Sequence, residues 1–380
     1  MSSWRECKLS EVAKLSKKAW KVGDEQMPYI GLEHIEEAKL RLNSIGRSED
    51  VASNKFRFQA GDTLFGKLRP YFRKVVKPNF NGICSTDIWV IHPHKGIDKD
   101  FLFYFFTNQE LVDISYSGSG GTRMPRADWD FLSQTLWNIP PLEEQKAIAE
   151  VLRSLDDKID LLHRQNKTLE DLAQTLFRQW FIEEAKEEWE VGTLNDIVDF
   201  NPSYKLKQGE LATYLAMESV QTNKSSASGW YKREVASGAK FMNNDTLLAR
   251  ITPSLENGKT AFVDFLEDDA IGWGSTEFIV MRMQDSYHPF ISYLIARNQD
   301  FRDFAIGNMT GSTGRQRAQA EDLKKYEVVI PPFDEIQKLN ELLEPIPPKI
   351  KANWKQIQTL ENLRDTLLPK LLSGEMRVEI

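Results

Sequence analysis

Two cysteines in 380 residues, Cys7 and Cys84, are too few for a disulfide framework or a cysteine-built zinc site. Their scarcity suits a reducing compartment. No window approaches 18 consecutive uncharged apolar residues, so nothing reads as a membrane span, and the opening MSSWRECKLSEV lacks the apolar core of a signal peptide. A cytoplasmic location, with no membrane partner, is the expectation. Net positive charge is also missing. With 49 Lys and Arg against 56 Asp and Glu the chain carries −7, so any contact with nucleic acid must come from local patches.

A complete catalytic constellation is absent as well. Residues 61–67 (GDTLFGK) have the spacing of a phosphate-binding loop, but Leu68 stands where a magnesium-binding Ser or Thr is needed, and the intervening residues read as a strand. Asn201-Pro202-Ser203-Tyr204 is close to the NPPY motif of adenine methyltransferases. It lacks the second proline, no glycine-rich cofactor fingerprint follows an early strand, and it reads as a turn. Gly118, Gly120 and Gly121 fail to complete GxGxxG, because Arg123 occupies the third glycine position. His92 and His94 flank Pro93 without a further ligand nearby, which predicts a solvated turn and no metal. No nucleophile, base and oxyanion site converge, so the chain does not read as an enzyme by itself.

What is present is a duplication. Residues 139–182 open IPPLEEQ and those from Ile330 open IPPFDEIQ, with Ile139/Ile330, Leu152/Leu343, Ile159/Ile350, Glu170/Glu361 and Leu176/Leu367 all 191 apart. Pro-Pro followed by acidic residues signals a helix start. In the first copy Ile148, Leu152, Leu155, Ile159, Leu162, Leu169, Ala173, Leu176 and Trp180 follow a 4-3 rhythm. In the second copy the stripe is Leu339, Leu343, Ile346, Ile350, Ile357, Leu360 and Leu367. These are heptad seams that most simply bury each other. Asn166 interrupts the first seam at the position aligned with Ile357; it either fixes the register or lies at the seam's edge. Pro345, Pro347 and Pro348 must break the second helix near its start, and Ser154-Leu155-Asp156-Asp157 offer capping residues at the matching place, so a short helix, a kink and a long helix are expected in both copies.

The duplication extends beyond the helices. YIGLEHI at 29–35 recurs as YLAMESV at 214–220, FQAGDTLFGKLRP at 58–70 as FMNNDTLLARITP at 241–253, and CSTDIWVI at 84–91 as GSTEFIVM at 274–281. Loops rich in Gly, Ser, Thr and Arg follow at 117–127 and 310–318. The chain is therefore two versions of one module, an α/β (or α+β) globular unit and then a long helix. Strands are predicted over 63–68, 83–91, 246–251 and 278–283, and helices over 101–112 and 290–303. The domain divisions are 1–141, 142–182, 183–332 and 333–374, with a tail at 375–380.

From 55 to 77 the chain carries Lys55, Arg57, Lys67, Arg69, Arg73, Lys74 and Lys77 against Asp62 alone, with Phe56, Phe58, Phe65, Tyr71 and Phe72 interleaved. Such a stretch can neutralise phosphates and read guanine edges; the bland alternative is a strand pair with a solvated face. The repeat favours the former. Arg250 falls opposite Lys67, and the glycine loops, where backbone can approach phosphate, supply Gly120, Gly121, Thr122, Arg123 and Arg126 in one module and Thr313, Gly314, Arg315 and Arg317 in the other. The candidate DNA-binding set is these residues with Lys67, Arg69, Arg73 and Lys74. Lys224, Lys232 and Lys259 are weaker candidates.

Two variable α/β modules, each closed by an IPPLxEQ-type entry into a long helix, resemble the specificity subunits of type I restriction-modification systems. The resemblance spans essentially the whole chain; its most specific parts are 139–145 and TLENLRDTLLPKLLSG at 359–374. It implies two target recognition domains, each reading one half of a bipartite, asymmetric double-stranded DNA sequence. It implies long helices that pack as an antiparallel coiled coil, act as a spacer and dock two modification subunits carrying S-adenosylmethionine. It further implies restriction subunits using ATP and Mg, and no catalytic residues in this chain. A helix over 157–182 is about 39 Å long, near the roughly 34–36 Å between half-sites one duplex turn apart. Two other readings are a self-contained methyltransferase or nuclease, which lacks its motifs here, and a coiled-coil scaffold that reads no DNA, which would not need two arginine-bearing glycine loops at matching positions.

Overall fold

In the computed structural model, which describes residues 4–119, 123–312 and 314–379, the duplicated sequence folds twice onto one topology. One unit comprises Met1–Ile159 with Thr359–Ile380, the other Asp160–Gln358. In the first, strands Ala13–Ser16, Ile88–Pro93, Thr63–Gly66 and Val75–Val76 form an antiparallel sheet in that order. Beside it, Ala19–Trp20, Lys55–Phe58, Gly82–Cys84, Pro28–Ile30 and Gly46–Arg47 form a second sheet with one parallel step, Tyr29 opposite Ile83. The second unit repeats this with Val198–Phe200, Phe278–Met283, Thr246–Ala249 and Thr260–Phe262, and with a sheet whose parallel step sets Tyr214 opposite Trp273. Thr63–Gly66 and Thr246–Ala249 are buried on both faces, which is why they read as continuous apolar runs rather than alternating ones. The GDTLFGK segment is thus a core strand.

Each predicted helix in the globular parts is two helices. Lys99–Thr107 is followed by Gln109–Ser117, and Ile291–Arg297 by Gln299–Gly307. One asparagine causes each break. Asn108 and Asn298 adopt extended backbone, ending the first helix, and their side chains cap the second by accepting from the amides of Glu110 and of Asp300 and Phe301. Aromatic and aliphatic side chains of the first helix in each pair then meet the long helices. Tyr104, Phe105 and Phe106 share a core with Ile148, Leu152, Leu368 and Leu371, and Phe290, Tyr293 and Leu294 share one with Ala173, Phe177, Leu339 and Leu343.

The long helices depart from expectation in two ways, an absent kink and a drifting seam, and follow it in a third, the break at the prolines. The central helix runs unbroken over Leu142–Arg178, so the expected kink in the first copy is absent. No proline forces one: Ser154 bonds back to the Val151 carbonyl at 2.7 Å, and Asp156 is engaged elsewhere instead of capping. The distal helix does break, into Phe333–Leu343 and Ile346–Ser373, which leaves Pro347 and Pro348 in a first turn where a missing N–H costs nothing. The seam also drifts. Leu152, Ile159, Leu162, Asn166, Leu343, Ile350 and Ile357 are buried, but Leu155, Leu169, Leu176, Leu360 and Leu367 are half-buried, and Phe177, Phe181 and Leu368 are buried instead. An α-helix turns every 3.6 residues, so a strict 4-3 stripe slides by about 20° per heptad.

Polar residues fix the pairing. In the second unit the Asn166 amide lies 3.5 Å from the Ile350 carbonyl, and Asn353 donates to its Oδ1 at 2.8 Å, so Asn166 is a seam residue with a polar partner that periodicity had not marked. In the first unit Arg364, whose side chain is 2% exposed, donates to Asp156 at 2.8 Å, and the Tyr104 hydroxyl donates to the same carboxylate at 2.8 Å. Pairs 156/364 and 166/353 fall in antiparallel register. Burial raises the Asp156 carboxyl even against the pull of Arg364 and Tyr104.

Each helix entry is tied to its sheet. Gln145 accepts from the Asp98 amide at 2.8 Å and donates to the Pro140 carbonyl at 2.9 Å. In the second copy the extra residue before Gln337 hands this task to Asn340, which accepts from the His288 amide at 2.8 Å and donates to the Ser286 carbonyl at 3.0 Å. The aligned acids Glu170 and Glu361 each hold a loop of the sheet domain, Ser225 at 2.8 Å and Lys39 at 2.6 Å respectively.

Candidate nucleic-acid interface

The two arginine-bearing loops dock on matching strand ends. In the first unit the Ala127 amide donates to the Lys67 carbonyl and the Arg69 amide to the Pro125 carbonyl; in the second, Ala318 donates to Arg250 and Thr252 to Gln316. Leu68 bridges Arg126, and Ile251 bridges Arg317. Lys67, Arg69 and Arg123 are thereby brought to one edge, and Arg250 and Arg315 to its counterpart. Gly120, Gly121, Thr122 and Thr313 lie outside the described residues. Gly314 has φ +77°, a left-handed backbone that a side chain would strain.

Ion pairing sorts the candidates. Arg126 donates to Asp87 at 2.9 Å, and Arg317 donates to both carboxylate oxygens of Glu277, the shortest contact being 2.6 Å. Arg250 lies 3.8 Å from Glu277 and donates to Gln319 at 3.1 Å. These arginines hold the loop to the strand end, and the Arg317 hydrogen bond keeps the Glu277 carboxyl below its ordinary range. Lys74 donates to the Leu32 carbonyl at 2.8 Å, and Arg73 to the Ala38 carbonyl at 3.1 Å with Asp365 3.7 Å away. Much of the remaining basic stretch is likewise satisfied. Lys55 is 8% exposed and bonded to Ser53, Arg57 pairs with Asp24 and Glu25, and Lys77 pairs with Asp100. Four candidates remain, Lys67, Arg69, Arg123 and Arg315, whose side chains make no hydrogen bond or ion pair among the described residues. Of the weaker candidates, Lys224 sits over the Trp354 ring, Lys259 donates to the Met217 carbonyl, and Lys232 is exposed on a strand.

Asp87 and Glu277 had not been singled out, although a signal was present: CSTD and GSTE keep an acid in register just as the loops keep Arg126 and Arg317. His92 is on a strand, not in a solvated turn, and its Nε2 lies 3.1 Å from the buried Asp62 carboxylate. Asn201 of the NPSY segment turns the chain at φ +50°, and the Tyr204 hydroxyl donates to Asp245. A cavity of about 700 Å³ in the second unit, lined by Asp264, His288, Glu344 and Lys351 among others, contains none of the candidate residues. Among the described residues no helix is long and apolar enough to cross a membrane.

A family model described as type I restriction modification DNA specificity domain matches the chain twice, over residues 1–171 and 186–362. The MjaIX type I restriction enzyme specificity subunit of Methanocaldococcus jannaschii is 28% identical over 315 residues, covering 76% of this chain and 72% of that protein. The HindI specificity subunit of Haemophilus influenzae is 29% identical over 227 residues, covering 57% of this chain and 48% of its own length. Among solved structures, the S subunit of a type I restriction-modification system from M. genitalium superposes with a TM-score of 0.56 at 15% identity, covering 97% of this chain and 96% of that one, a likeness of fold.

Proposed function

The chain belongs to the type I restriction-modification DNA specificity family, as a specificity subunit, and from that premise we propose how it divides the work. Residues 1–141 and 183–332 each read one half of a bipartite, asymmetric target in double-stranded DNA. The helices at 142–182 and 333–374 set the spacing and dock two modification subunits. Those subunits supply S-adenosylmethionine and the chemistry of methylation; restriction subunits, with ATP and Mg, supply cleavage. This chain contributes sequence choice and assembly and no catalytic group.

The observation that carries this reading is the doubled cationic edge, in which a loop clipped by Arg126–Asp87 or Arg317–Glu277 sets an unengaged Arg123 or Arg315 beside a strand end. Two different readers in one chain also account for an asymmetric target, since a homodimer would read a palindrome. A scaffold that ignores DNA has no use for such a pair of edges. The test is single-molecule mapping of DNA methylated by this chain with its modification subunit. Adenine methylation at a split, asymmetric motif supports the reading. Methylation at a continuous or palindromic site, or methylation that is equal without this chain, returns the scaffold reading.

A further inference from the structure

The first unit carries at its cationic edge a feature that the second lacks. Between the strands Thr63–Gly66 and Val75–Val76 the chain makes one 3-10 turn, Pro70–Phe72, flanked by Arg69 at φ 51°, ψ 62° and Arg73 at φ 47°, ψ 48°. Two non-glycine residues in left-handed backbone within five positions are strained, and such strain persists only where surrounding bonds over-determine it. Here they do. Arg69 is fixed by its amide to Pro125, Phe72 and Arg73 donate back to Arg69 and Pro70, and the Arg73 and Lys74 side chains are anchored on the Ala38 and Leu32 carbonyls.

This rigid tip presents Tyr71, 44% exposed, with its ring 5.3 Å from that of Tyr116 in a T-shaped pair; Tyr116 is 49% exposed and Met124 also 49%. Neither phenol hydroxyl makes a hydrogen bond among the described residues. The unengaged side chains of Lys67, Arg69 and Arg123 belong to the same edge. At the matching places in the second unit stand Ser254 and Ile306, so no aromatic pair forms there.

We propose that the Tyr71–Tyr116 pair is a base-reading head, in which the neighbouring cations hold the phosphates while Tyr71 presses on a thymine 5-methyl group in the major groove. This rests on the DNA-reading function proposed above and adds the base chemistry of one half-site. An aromatic ring on a stiff turn gives apolar contact at little entropic cost, and the thymine methyl is the apolar mark that a base pair shows in that groove. The asymmetry between the units then means that one half of the target is read partly through a methyl group by a ring pair that the other unit lacks at the matching place.

The experiment uses the complex of the full chain with its modification subunit and duplexes carrying the mapped target, in which each thymine in turn is replaced by deoxyuridine, a change that removes one methyl group. The expected result is about a fourfold loss of affinity at one position in a single half-site. Tyr71→Ala should show the same loss on thymine DNA and no further loss on deoxyuridine DNA, while Tyr71→Phe keeps the discrimination. Unchanged recognition of the other half-site serves as the internal check that the variants fold. If wild type discriminates its target but Tyr71→Ala responds to every deoxyuridine as wild type does, or weakens all duplexes equally, the tyrosine proposal falls alone. A wild-type complex with no sequence preference overturns the DNA-reading function and this inference together.

Discussion

At the scale of the residue, the structure separates charge that holds the fold from charge that is free to act. Arg123 and Arg126 are equivalent in a list of basic residues, yet Asp87 neutralises only the second. Arg317→Ala is expected to lower methylation of every sequence to a similar degree, because the loop loses its clip; Arg315→Ala should change the base preference of one half-site only. Methylation profiles of both variants distinguish the two roles, and identical profiles would refute the division. Sequence alone located the arginines but could not rank them, since a guanidinium's partner is a matter of geometry. A second residue-scale consequence concerns Asp264, whose carboxyl burial pushes up to about 6 from an ordinary 3.8, with Lys351 opposing. An acid raised in the folded state destabilises that state above pH 6, where it is ionised in both states, and has no effect well below 3.8. Stability should therefore fall as pH rises through that window. Asp264→Asn should stabilise the chain at pH 7 by on the order of 2 kcal/mol and flatten the pH dependence between 4 and 6, as read by urea denaturation.

At the scale of the element, helical periodicity revealed the long helices, their duplication and their mutual burial, because apolar spacing is written along a single segment. It missed what depends on the opposite helix. Arg364 occupies a seam position and looks like a surface residue until Asp156, 208 residues away in sequence, is set beside it. Asn353 likewise has meaning only opposite Asn166. Asn166→Leu should cost about 1–3 kcal/mol, because it leaves the Asn353 amide buried without a partner. Asn166→Leu combined with Asn353→Leu should recover that loss, at the expense of register. Urea midpoints for the single and double variants decide, and a single variant as stable as wild type would remove the pair from the account. The prolines teach the complementary lesson. Three of them predicted the break after Leu343, but the three capping-type residues Ser154, Asp156 and Asp157 did not make one, since a cap forms only where the chain turns out of the helix.

At the scale of the whole molecule, the duplication was legible because aligned runs such as YIGLEHI and YLAMESV take up the same strand and the same parallel step in both units. Which parts of the chain make up each unit was not legible, since that depends on helix pairing. Exchanging residues 1–141 for the equivalent stretch of another specificity subunit should alter one half of the methylated motif and leave the other intact; a change in both halves would contradict independent readers. Composition of the units also has a consequence for how the protein is made. Asp160–Gln358 is contiguous, whereas the other unit draws Leu368, Leu371 and Leu372 into a core begun by residues such as Leu9 and Val12. On the ribosome the second reader can close while the first still waits for residues 359–380, although most of the first was synthesised earlier. Nascent chains stalled once residue 358 has emerged should resist protease across 160–358 and be cut within 1–159 until the distal helix is released. The order of folding would then be the reverse of the order of synthesis.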